Sequence, residues 1–155
     1  LLEDYGGHSM AAGLTIRMEN VIDFQQALEK AVRQMAQPDD AKPMLTIDCE
    51  MSFDDISATL MDEIENIGPF GIQNPEPLFM ARNISVLSSK IVGQNHRKMA
   101  LTHSGNRSAR PINAICFNAT GDLLGATSFA SLAFRLRWNR WNDSKSLQLI
   151  IEDAQ

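Results

Sequence analysis

A chain of 155 residues that is 44% apolar and 21% charged has the balance of a globular protein, with room for one ordinary domain or two small ones. No run approaches the roughly 18 consecutive apolar residues of a helical membrane span, so no membrane partner is expected. The net charge of −5 hides a division. Residues 1–81 carry four basic and fifteen acidic side chains, a net of −11, whereas residues 82–155 carry ten and four, a net of +6. A basic half suggests a polyanionic partner such as nucleic acid.

The chain opens on Leu1-Leu2-Glu3-Asp4-Tyr5, which is neither a signal peptide nor an initiator sequence and reads as a chain entered in mid-domain. Gly6-Gly7 predicts a tight backbone turn, because paired glycines extend a regular element only at a cost. Leu14, Ile16 and Met18 alternate with polar residues and predict a strand. A helix follows over 20–36, with Val21, Phe24, Leu28, Ala31, Val32 and Met35 on one face and Asn20 available as its cap. Met44 to Met51 alternates as a second strand. Strand, helix, strand is a fragment of a larger α/β sheet, too small to bury a good core alone. Its strand edges are expected to recruit a second copy of the chain or to be poorly ordered. Cys49 and Cys116 lie in apolar, strand-like runs, and isolated thiols of that kind are expected as buried core residues of a reducing compartment, the cytoplasm.

A second helix is expected over 54–66, with Ile56, Leu60, Ile64 and Ile67 inward and Asp54-Asp55 at its cap. The stretch from Gly68 to Leu78 holds three prolines and two glycines and predicts a stiff connector, where the domain boundary is placed. Beyond it nearly everything reads as strand: 79–92, 97–104, 110–117, 130–141 and 145–153, with a link near 119–128 and a hairpin at Asn142-Asp143. Five strands with one interrupting link match a small Greek-key barrel of the OB type better than a sandwich, which usually needs about seven. The expected class is therefore α+β: an α/β portion with its linking helix over 1–67, a connector over 68–78, and a five-stranded OB-type β-barrel over 79–155.

Three motifs carry chemistry. Gly6-Gly7-His8-Ser9-Met10-Ala11-Ala12-Gly13 joins glycines that let backbone N–H groups approach an anion to an imidazole that can bind a phosphate oxygen. Along 132–138, alternation sends Leu132, Phe134, Leu136 and Trp138 to the core and Arg135 and Arg137 side by side to the outer face. Cations beside an aromatic such as Trp141 suit phosphates and stacked bases. Arg140, Arg97, Lys98, Arg107 and Arg110 add to the field. His8, His96 and His103 lack metal-ligand spacing, and Asp54-Asp55 and Asp62-Glu63 read as cap and solvated-face charges. No catalytic or metal-ligating set is therefore expected in this chain.

The octet at Gly6 resembles the GGHxxAAG signature that accompanies the catalytic domain of DHH-family phosphoesterases. The run from Gly68 to Phe79 resembles the PFGxGNPEPxF stretch that RecJ exonucleases place before their OB domain, and Trp141 to Ile151 resembles their WNGxxSLQLxI hairpin. The departures are Gln73 and Asp143 where glycines are usual. The resemblance implies the C-terminal, DNA-gripping region of a 5′→3′ single-stranded-DNA exonuclease of repair and recombination. It implies a separate DHH domain, absent from these residues, that holds manganese or magnesium. It also implies that Gly6, Gly7 and His8 hold a DNA phosphate. Alternatives are a stand-alone nucleic-acid-binding or protein-docking OB module and a small-nucleotide DHH phosphodiesterase, the last disfavoured by the connector and barrel.

Overall fold

The computed structural model describes residues 1–35, 44–105, 110–141 and 144–155. The chain forms two compact units, Leu1–Leu45 and Thr46–Gln155, each described by itself.

In the first unit, β1 (Leu2–His8) and β2 (Ala11–Ile16) form an antiparallel hairpin, and α1 (Val21–Met35) follows a 3-10 turn at Met18–Asn20. Gly6 and Gly7 lie within β1, opposite Gly13 and Ala12, and Ser9-Met10 makes the turn instead. The reason Gly7 is required is close approach. A Cβ there would stand 2.7 Å from the Ala11 carbonyl oxygen and 2.8 Å from Ala12 Cα. Asn20 belongs to the 3-10 turn, and its amide donates to the Leu1 carbonyl. The apolar stripe of α1 exists as its spacing predicts, yet Val21, Leu28 and Val32 are exposed and no residue of α1 is buried.

The second unit is a closed sheet. Its strands are β3 (Cys49–Glu50), β4 (Phe79–Val92), β5 (His96–His103), β6 (Ile112–Cys116), β7 (Ser128–Trp141) and β8 (Ser144–Ala154), with helix α2 (Ala58–Asn66) before β4. Each of the five strand runs predicted beyond Leu78 appears within two residues of its expected ends. The sheet order is β3-β4-β5-β6-β8-β7, and β4 also pairs with β7. Closure comes from the length of β4, whose first half pairs with β7 and whose second half pairs with β5. A register shift between Val86 and Ser88 bends the strand between those roles. β6 and β8 are parallel, and the remaining pairs of the ring are antiparallel.

The core lies inside the ring. Ile84, Leu101, Leu132, Phe134, Leu136 and Leu149 are essentially inaccessible, and side chains of this size each contribute about 1.5–3 kcal/mol on burial. Met61 and Ile64 of α2 and Phe53 join the same core, so α2 belongs with the closed sheet. Ile67, expected inward, is exposed, and Met61 takes its place. Ser57, not Asp54 or Asp55, caps α2 by accepting from the Leu60 N–H. The strand expected over 44–51 shrinks to the two ladder residues of β3, flanked by Asp48 and Met51, whose N–H groups donate to the Leu78 and Met80 carbonyls. Cys116 is buried and Cys49 exposed, and both are free. The compact units thus divide near residue 45, and the 68–78 connector lies inside the second.

Candidate nucleic-acid interface

Strand register places the outward side chains of the closed sheet in two continuous rows. Lys90 of β4 stands opposite Lys98 of β5, which is followed by Ile115, Ile150 and Arg135 on β6, β8 and β7. The neighbouring row runs Ser88, Ala100, Asn113, Gln148, Arg137. That these face outward follows from their neighbours, since Met99, Ala114, Leu149 and Phe134 are buried. Beyond Ile115, Phe117 is 51% exposed, its ring edge-on to His96 at 5.2 Å. A shallow groove of about 510 Å³ lies between Phe117, Arg137, Arg140, Gln148 and Ile150. A face with apolar and amide groups at its centre, an exposed ring and cations at both margins can stack bases and neutralise phosphates.

The cations differ in what they already hold. Arg97 is buried, and its guanidinium donates to the carbonyls of Leu123 (2.8 Å) and Ala126 (2.7 Å) and to Ser89 Oγ. Burial lowers its pKa, and it fastens the 121–126 link to β5, its guanidinium turned inward rather than onto the outer face to which it was expected to add. Alternation explains this, because Arg97 shares the inward register of Met99 and Leu101.

Arg135 and Arg137 do face outward, but carboxylates of the same chain engage them. Arg135 donates to Glu152 Oε1 at 3.0 Å and to the Glu76 carbonyl, and Arg137 holds both oxygens of the Glu76 carboxylate. The Glu76 hydrogen bonds raise the Arg137 pKa further. Arg140 meets Glu65 at 3.0 Å, and Lys145 meets Asp62 at 3.1 Å while lying 3.9 Å from the Trp138 ring centroid. Trp138 packs at the rim of the core and donates its indole N–H to Asp62. The helix and connector thus carry acidic partners for the β7–β8 arginines. Counted over residues 46–155, ten basic side chains meet twelve acidic ones, a net of −2, so the +6 half is locally offset.

Lys98, half-buried, and Arg110, exposed, have no carboxylate partner among the described residues. Arg110 borders a second groove with Phe53, Ile112, Trp138 and Leu147. The backbone of Trp141 pairs with Ser144, while its side chain and Arg107 lie outside the described residues. Sequence reasoning missed Phe117 and Lys90. Continuing the Asn113, Ile115 alternation by two residues finds the first, and the outward register of Ser88 finds the second.

Gly6, Gly7 and His8 are exposed on the first unit's hairpin. Among the described residues no group of three His, Cys, Asp or Glu side chains is placed to hold a metal ion. No helix among them is long and apolar enough to cross a membrane.

Comparison with known proteins places this geometry. The chain is 29% identical over 159 residues to the single-stranded-DNA-specific exonuclease RecJ of Bacillus subtilis, a match spanning 99% of this chain and 20% of that protein. It is 28% identical over 151 residues to the protein of the same name in Escherichia coli, spanning 96% of this chain and 26% of that one. The crystal structure of RecJ from Thermus thermophilus in complex with Mg2+ superposes with a TM-score of 0.63 at 21% identity, over all of this chain and 23% of that one. A Mn2+ complex of the same protein matches equally. The chain therefore spans about a quarter or less of the length of these relatives. Residues 47–153 match the RecJ OB domain, and the chain belongs to that family.

Proposed function

We propose that this chain is the substrate-gripping region of a 5′→3′ single-stranded-DNA exonuclease of repair and recombination, acting in the cytoplasm, with its closed sheet serving as an OB-type barrel. The observation that carries this reading is the outer face of β5, β6 and β8. There an exposed Phe117 and the half-buried Ile115 and Ile150 stand beside Gln148 and Asn113, with cations at either margin. Apolar groups turned outward on two adjacent strands, β6 with its end at Phe117 and β8, have no core to serve, and base-stacking is a use that fits them. Hydrolysis belongs, on this reading, to a DHH domain that holds magnesium or manganese outside these residues. Gly6, Gly7 and His8 would bind a substrate phosphate, with Arg110, Arg140 and Trp141 guiding the strand.

The test is binding of oligothymidylate and of duplex of equal length to the whole chain. Single strands should bind more tightly. Phe117→Ala should weaken that binding by ~1–3 kcal/mol without changing its salt dependence, since stacking releases no counterions. Equal affinity for duplex, or an unaffected Phe117 variant, removes this face from the site and moves a protein-docking role ahead.

A further inference from the structure

We propose that the Lys90–Lys98 pair is the phosphate-holding margin of the single-strand site, and that Arg135 and Arg137 are held out of it by the chain's own carboxylates. This rests on the reading that the outer face binds single strands, and it says which margin carries the backbone.

Lys90 and Lys98 occupy directly opposed positions on antiparallel β4 and β5. Opposed residues have Cβ atoms about 4.5–5.5 Å apart, and like charges so placed repel. Nothing among the described residues relieves the repulsion, for neither ammonium has a carboxylate partner, although 19 acidic residues occur in the chain. The opposite margin is built the other way. Arg135 is bound by Glu152 and by the Glu76 carbonyl, and Arg137 by both Glu76 oxygens, with the Glu76 carboxylate only 14% exposed. Phosphate at that margin would have to displace a carboxylate already in bidentate contact, whereas phosphate between the two lysines replaces only water and cancels a repulsion. Lys98 and Arg135 each stand one strand from the Ile115 and Ile150 centre, with Lys90 one strand beyond Lys98, so stacked bases reach either margin. What differs is the electrostatics. The backbone is therefore led along β4 and β5, with its bases turned toward Ile115 and Phe117.

Salt dependence of oligothymidylate binding decides the matter, measured on the whole chain from about 0.02 to 0.2 M salt. Each neutralised phosphate contributes about −0.7 to the slope of log K against log salt. Lys90→Ala with Lys98→Ala should flatten the slope by about 1.4 and weaken binding about 25-fold near 0.1 M salt, the loss of two such contacts. Its thermal midpoint should hold or rise, because the repulsion goes too; Lys90→Gln with Lys98→Gln serves if the alanine pair folds poorly. Arg137→Gln should leave the slope where it was. A lysine variant with the wild-type slope overturns the subsite alone and leaves the pair as ordinary strand-edge charges. An Arg137→Gln variant that flattens the slope instead assigns the backbone to β7 and also overturns it. Wild-type chain that shows no salt-dependent binding overturns the function reading together with the subsite.

Discussion

Glu76 meets Arg137 with both carboxylate oxygens, Oε1 at 3.0 Å from Nε and Oε2 at 2.5 Å from Nη2. Glu76 lies in the connector and Arg137 on β7, 61 residues later, so the contact fastens the connector across the sheet's outer face. The guanidinium is more than half exposed, which limits what the pair adds to stability to about 1 kcal/mol. Glu76→Gln should therefore cost ~1 kcal/mol or less in urea unfolding. It should also free Arg137 for phosphate and steepen the salt slope of single-strand binding by up to about 0.7. An unchanged slope would mean that Arg137 cannot reach the strand even when released.

Gly6 and Gly7 are neighbours with opposite tolerances. A Cβ at Gly6 meets nothing within 4 Å, while one at Gly7 would collide with the backbone of Ala11 and Ala12. Gly7→Ala should therefore break the pairing of β1 with β2 at a cost of about 1–3 kcal/mol, and Gly6→Ala should keep it. Hydrogen exchange of the 2–16 amides reads this directly. Loss of protection in both variants, or in neither, contradicts the assigned packing.

Arg97 separates stability from binding. Arg97→Met leaves the carbonyls of Leu123 and Ala126 without the donor they now share, and should cost ~1–3 kcal/mol on unfolding. Where the variant stays folded, the salt slope of DNA binding should not move, because no phosphate contact is lost. A flattened slope would return Arg97 to the interface.

The five long strands were legible because alternation and turn residues agree there, and register then placed Leu132, Phe134 and Leu136 inward and Arg135 and Arg137 outward. The candidate site was less legible for two physical reasons. Charge counted along the chain cannot show that Asp62, Glu65 and Glu76 fold back on Lys145, Arg140 and Arg137, since each pair is separated by 61 to 83 residues. Nor does a basic residue type reveal its facing. Arg97 and Lys98 are adjacent in sequence, yet the pleat buries one and turns the other out. Gly6-Gly7 misled for a related reason, because glycine marks close backbone approach within a hairpin as readily as it marks a turn.

Acid should loosen the clasp between α2 and the β7–β8 hairpin through Asp62. Its carboxylate accepts from Lys145 Nζ and from the Trp138 indole N–H, and the Lys145 hydrogen bond is the largest reason its pKa lies below the ordinary aspartate value. A carboxyl with a lowered folded-state pKa adds stability that is present above the unfolded value, near 3.9, and is lost as pH falls through the folded one. The affected window therefore lies below about pH 4. There the wild-type Trp138 indole N–H resonance should move with protonation, and the unfolding midpoint should fall more steeply than in Asp62→Asn. That variant keeps an oxygen for the indole but has no charge for Lys145, so its indole resonance should stay flat over the same window. The effect on global stability is small because Asp62 stands in solvent, and the indole signal is the sharper readout. Parallel acid profiles for the two proteins would mean that Lys145 and Trp138 hold α2 without help from the charge.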